Sequence, residues 1–266
     1  MFRSRLKLPL HPLAASHYFN QYFARFDTMH VNDLRGTIAI AGGSLLVHLV
    51  TRIRALGNTQ QQRMDDINKS MREFQKGRTE HRMPNLRLTD LRSDKGWSML
   101  CGKLVKAANT RAMLPFLSGL AQTHCTGRDG FDSSCNKVFT SLMTIQRIMY
   151  SSGTFLTDEA KEEFKDAHLR LGRHWQLLRQ LCERAGVNSF QITPKLHYTQ
   201  QFADQANLIN PRVVQNYIQE SLIGRVAKVW SACANGPYAD TVQQSSLARQ
   251  WVGLELRICE DDDVSP

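Results

Sequence analysis

Two stretches of this chain put residue types suited to metal and phosphate chemistry at close spacing. The first is Phe26-Asp27-Thr28-Met29-His30, followed by Leu34-Arg35-Gly36. An aspartate at the end of a strand is well placed to hold a metal ion in a cleft, and hard cations such as Mg²⁺ and Mn²⁺ take carboxylate oxygens as ligands. Aspartate also serves as a helix cap or turn residue at such a point. The second stretch runs through Thr193-Pro194-Lys195-Leu196-His197 and Asn210-Pro211-Arg212 to Glu220-Ser221-Leu222-Ile223-Gly224-Arg225. On a helical wheel of 215–232, Ile218, Leu222, Val226 and Val229 form the apolar stripe, whereas Glu220 shares its stripe with Gly224, Ala227 and Ser231. Small neighbours leave space for a metal and a nucleic-acid backbone to approach Glu220, and Arg225 and Lys228 lie to one side where they can grip phosphates. A solvated glutamate on an amphipathic helix would show the same pattern.

The cysteines offer less. Positions 101, 125, 135, 182, 233 and 259 include no CxxC pair, which argues against a small secreted disulfide scaffold. His124, Cys125 and Cys135 are zinc-ligand types, but their spacing fits no standard site and a fourth ligand is lacking. Cys182 and Cys259 fall in apolar helical patterns and read as core thiols.

The elements that must position these residues are mostly helical. A strand is expected over the aromatic-rich 18–29, then an apolar helix over 36–56 stopped by Gly57-Asn58. Thr59 caps a polar surface helix with Met64, Ile67, Met71 and Phe74 inside. A connector spans 78–96, with an extended piece at 86–91. A helix follows over 97–120, bent or broken at Pro115; 124–134 is expected as a loop and 135–150 as a helix. The clearest helix starts after Thr157, where Asp158 and Glu159 suit the positive dipole end. Ala160, Phe164, Ala167, Leu171, Trp175, Leu178 and Cys182 make its buried face, so Trp175 reads as core, and Gly186 ends the helix. Thr193-Pro194 opens the next helix and Asn210-Pro211 closes it. A β-like piece at 212–214, helices over 215–232 and 238–259, and a disordered acidic tail complete the reading.

The formal charge is +10, which favours contact with polyanions such as nucleic acid. The apolar run 38–50 is short for a membrane span and contains Ser44 and His48, so it reads as a buried helix. Residues 1–26 are basic without Asp or Glu, faintly like a transit peptide, but Pro9 and Pro12 interrupt any amphipathic helix there.

Taken in order, FDTMHVNDLRG, LVKAANTRAMLPFL, TPKLH, NPR and ESLIGRVAK resemble the later part of large eukaryotic cut-and-paste transposases of the CACTA type. The likeness covers roughly 18–231. That family has an RNase H-like catalytic domain interrupted by a helical insertion. The resemblance implies a mainly α fold: a helical bundle with a small, incomplete RNase H-like β remnant near the N-terminus. It divides the chain into a basic segment 1–17, a strand-helix remnant 18–57, a helical insertion 58–192, core-completing helices 193–259 and the tail 260–266. It makes Asp27 the second catalytic acid and Glu220 the third, 193 residues on. His30 is motif-associated, and Lys195, His197, Arg212, Arg225 and Lys228 are nucleic-acid contacts. The implied chemistry is two-metal phosphodiester cleavage and strand transfer with Mg²⁺ or Mn²⁺. DNA is the implied partner and the nucleus, or another intracellular compartment, the implied location. No acidic residue precedes Asp27. The first aspartate of the triad is therefore missing from this chain, which is expected to be inactive alone, either as a fragment of a longer reading frame or as a degenerate element, with a homo-oligomer or the missing N-terminal half of a longer product as its further partner. A non-catalytic helical scaffold, or a module that binds nucleic acid or protein, is the alternative.

Overall fold

The structure, a computed structural model, describes residues 27–78, 81–101, 106–127 and 130–215. The chain enters through a turn rather than a strand: Thr28 has helical dihedrals and Met29–Asp33 form a single π-type turn. The last two residues of the expected strand are thus helical, because the Asp27 carboxylate accepts the Met29 N–H (3.0 Å) and starts the turn locally. The aromatic part, 18–26, lies outside the described residues, as do the tail and all but Gln215 of the helices expected over 215–232 and 238–259. Among the described residues there is no strand, and an isolated bridge joins Arg92 and Ser98. The RNase H-like β remnant therefore has no counterpart in this part of the chain.

Helix α1, Thr37–Arg52, is apolar on nearly every side and almost wholly buried, as a helix at the centre of a core must be. With the preceding turn, Met29–Arg52 is long and apolar enough to cross a bilayer, yet 78% of that window is buried inside the protein. Gly43 explains how α1 fits: a Cβ there would lie 2.3 Å from Met99 Cα, so the helix touches the backbone of the 97–101 segment. At the same contact Leu100 N–H donates to Ala39 O (2.9 Å).

Helix α1 ends at Arg52, before a 3-10 turn at Arg54–Leu56 and Gly57 at φ +145°. One of its last carbonyls and the loop beyond are met by α2, Gln60–Phe74: buried Arg63 donates to Val50 O and to Gly57 O, both at 2.8 Å. A cation here satisfies orphan acceptors and suits the negative end of the dipole. Thr59 caps α2 through a full capping box with Gln62. Met64, Ile67 and Met71 are buried and Phe74 packs against them, as the spacing predicts.

The segment 81–101 runs across α1 and α2. Asn68 pairs with both the N–H and the C=O of Leu86 at 2.9 Å, holding the chain against α2. The piece expected as extended instead closes into a 3-10 turn, Leu88–Leu91, since Asp90 accepts the Arg87 N–H (2.8 Å). The helix expected from residue 97 starts later, as α3, Ala107–His124. Residues 98–100 are diverted by long-range pairing, with Ser98 N–H on Asn188 O (2.8 Å) and Met99 N–H on Leu91 O (3.0 Å). Pro115 neither breaks nor ends α3; burial of Leu114, Phe116 and Leu117 around it offsets the one hydrogen bond it removes.

Helix α4, Gly130–Ser151, begins inside the expected loop. Asp132 in its first turn accepts the Gly127 N–H (2.7 Å), which fixes the entry and suits the dipole. Helix α5, Asp158–Arg184, starts where predicted, with Thr157 Oγ1 accepting from Ala160 N–H. It ends in a Schellman pair, Val187 N–H to Cys182 O (2.8 Å) and Gly186 N–H to Glu183 O (3.0 Å), around Gly186 at φ +66°. Its predicted face is buried, and Trp175 is fully buried with Nε1 donating to Phe190 O (3.1 Å). Helices α4 and α5 form the most extensive helix pair.

Helix α6, Pro194–Ala206, opens on Pro194 as predicted. Buried Asn210 then ties its exit to the end of α4, donating to Met149 O and Gly153 O at 2.9 Å. Because Asn210 Oδ1 also accepts the Arg212 N–H, Pro211–Val214 form a 3-10 turn in place of the expected β-like piece. One core includes Val31, the α1 residues, the α4–α5 interface and Phe202 of α6.

Candidate functional site

The turn that carries Asp27 and the helix that carries Lys195 pack together. Asp27 is nearly buried, with 13% of its side chain exposed, and its second carboxylate oxygen pairs with Nδ1 of His30, which is half exposed. The turn closes with Leu34 N–H on Met29 O (2.8 Å). Lys195 Nζ donates to Leu34 O at 2.6 Å from 161 residues away. One turn further along α6, buried Thr199 Oγ1 lies 3.2 Å from Asn32 Oδ1 and 2.8 Å from Thr37 Oγ1. Two motifs remote in sequence thus share a polar seam at the start of α1.

This seam is positively charged at its edge. Burial lowers the Lys195 ammonium below the usual lysine range, and the neighbouring Arg35 guanidinium adds to the effect. Arg35 is exposed and holds φ at +50°, a conformation uncommon for a residue with a side chain.

The other predicted contacts are distributed differently. His197 is exposed on α6, with Nε2 3.0 Å from Gln201 Nε2. Arg212 is exposed but stacked on Tyr150, with its guanidinium carbon 4.7 Å from the ring centroid. Its Nη1 donates to Tyr150 O (3.3 Å). Glu220, Arg225 and Lys228 lie outside the described residues, and so does the Asp27–Glu220 separation.

Sequence reasoning passed over Asp33. It is buried at the end of the π-type turn and, with Thr28, Arg111, Gln146 and Tyr150, lines a small cavity. Thr28 Oγ1 and Gln146 Oε1 are buried there without a hydrogen-bond partner among the described residues. The available signal was its place in FDTMHVNDLRG, six residues after Asp27, but an exposed turn acid reads the same way.

As a two-metal centre the described residues do not fit. Asp27 offers one carboxylate, and both its oxygens are engaged within its own turn, by Met29 N–H and by His30. What the arrangement does offer is an aspartate–histidine pair beside a lysine–arginine edge, suited to contact with an anion. Cys182 is a core thiol as predicted, pushed up to about 11 by burial. Comparison with family profiles, with curated proteins and with solved structures finds no match to this chain.

Proposed function

We propose that this chain is a transposase-derived, nucleic-acid-binding protein of the CACTA-like DDE kind that does not cleave DNA by itself. The observation that supports this reading is the seam at Lys195 and Leu34, where the two motif segments that would flank a catalytic centre are packed side by side. The charge of +10 supports DNA as the partner and a nuclear location. Glu220 would be the third acid and Asp27 the second, with Arg225, Lys228, Arg212, His197 and Lys195 toward phosphates. Mg²⁺ or Mn²⁺ enters only with retained activity. Because no carboxylate within residues 1–266 precedes Asp27, and Asp27 is committed to its turn, cleavage is not part of the proposal. A longer product containing the chain would be the source of the remaining acid.

The test is binding of the full chain to duplex DNA across a salt series, together with a nicking assay in Mg²⁺ and Mn²⁺. The proposal expects affinity that falls steeply with salt and no nicking. Nicking that Glu220→Ala abolishes would sink the inactivity claim. Weak, salt-independent association would favour the helical-scaffold reading instead.

A further inference from the structure

We propose that His48, Cys125 and Asp132, with Cys135 beside Cys125, form a site for one zinc-type divalent cation. The site is independent of the DNA-binding reading. It lies where three helices meet: His48 is in the last turns of α1, Cys125 immediately follows α3, and Asp132 and Cys135 are in the first turns of α4.

The geometry carries the assignment. One ligand atom from each of His48, Cys125 and Asp132 lies within 4.8 Å of the other two. A tetrahedral zinc ion, with bonds of about 2.0–2.3 Å, holds its ligand atoms roughly 3.5 Å apart. The donor types narrow the ion. Thiolate and imidazole select zinc or a similar borderline-soft metal and disfavour magnesium and calcium, which take oxygen.

The surroundings hold the ligands in place. Asp132 accepts the Gly127 N–H (2.7 Å), and the His48 ring stacks on Phe131 with centroids 4.3 Å apart. Asn136 donates its side-chain N–H to Cys125 O. Such outer contacts orient metal ligands. Cys125 and Cys135 are both buried. His48, half buried, lines a cavity of about 260 Å³ with Arg52, Phe131 and Leu181. Core packing accounts for each buried cysteine and helix capping for Asp132; neither accounts for their convergence on an imidazole from another helix. The sequence offered no standard zinc spacing at His124, Cys125 and Cys135; the proposed set instead joins Cys125 to His48 and Asp132.

The experiment is a Co²⁺ titration of the reduced, metal-stripped full chain, followed by absorbance. One equivalent should give thiolate-to-cobalt charge transfer and tetrahedral visible bands, both erased by Zn²⁺. Cys125→Ser should strongly reduce the charge-transfer band, and His48→Gln and Asp132→Asn should each weaken binding by about tenfold or more. Because Cys125→Ser can disturb the core, the two half-buried positions, confirmed folded by circular dichroism, carry the test on their own. No band in the wild-type chain, or an unchanged band in these variants, overturns the proposal. Unchanged affinity in Cys135→Ser removes Cys135 from the ligand set, whereas weakened binding supports four protein ligands.

Discussion

Lys195 Nζ and the Leu34 carbonyl meet at 2.6 Å, so the third-last residue before α1 is held by the second residue of α6. This bond and the Thr199–Asn32 contact fix the entry of the central helix. Lys195→Met keeps the apolar stem and removes the donor. It should cost about 1–3 kcal/mol, the range for a charge-assisted bond whose acceptor stays half-buried. The measurement is the urea midpoint of the variant against wild type. No shift would mean that the lysine is only a surface charge.

Under the proposed DNA-binding role, the contributions of charge and of structure can be tested separately. Arg212 is exposed and His197 lies on the outer side of α6, so Arg212→Gln should weaken binding at low salt and reduce the salt slope by roughly one unit, as expected for one lost phosphate contact. The same variant also loses its stacking on Tyr150, so thermal melting is needed as a control. A full-strength salt slope in Arg212→Gln would remove this residue from the interface.

His168 supplies a pH dependence. It is buried against Phe164 and Phe202, with Nδ1 2.8 Å from Phe164 O, and burial lowers its pKa to about 4 despite that hydrogen bond. The unfolded chain takes up this proton near 6.5 and the folded chain only near 4. Stability is therefore fully present above about 6.5 and falls as the pH drops toward 4, by roughly 3 kcal/mol in all. His168→Leu should flatten that part of the stability profile, measured as denaturation midpoints from neutral to mildly acid pH. A profile identical to wild type would show that other groups set the acid limb.

Gly43 is where α1 meets backbone rather than side chains. Gly43→Ala places a methyl 2.3 Å from Met99 Cα, which only movement of the helix or of the 97–101 segment relieves. A loss of about 1–3 kcal/mol is expected, despite the better helix propensity of alanine. Gly119, where an added Cβ meets nothing within 4 Å, is the control, and Gly119→Ala should be neutral or stabilising in the same thermal melt.

The features legible in the sequence are those decided within a few residues. Thr59 and Thr157 mark two helix starts correctly because capping joins positions three apart, and Pro194 marks a third because its fixed φ suits the first turn. The inner faces of α2 and α5, and the core place of Trp175, follow from spacing for the same reason. The missed boundaries share a different cause. Residues 98–100 read as helix, yet their backbone groups find partners at Leu91, Ala39 and Asn188. Residues 88–91 and 211–214 read as extended, yet the Asp90 and Asn210 side chains fold them into turns.

By itself the sequence determined a helical chain with an excess of positive charge, one fully apolar helix and the start points of three others, since local hydrogen bonding and periodicity suffice for these. Tertiary structure alone decided that Lys195 closes on Leu34, that Asp27 spends both oxygens on its own turn, and that ligand atoms of His48, Cys125 and Asp132 converge. Those pairings depend on how helices far apart in the chain pack. Packing is set by the whole buried core, and no single stretch of residues encodes it.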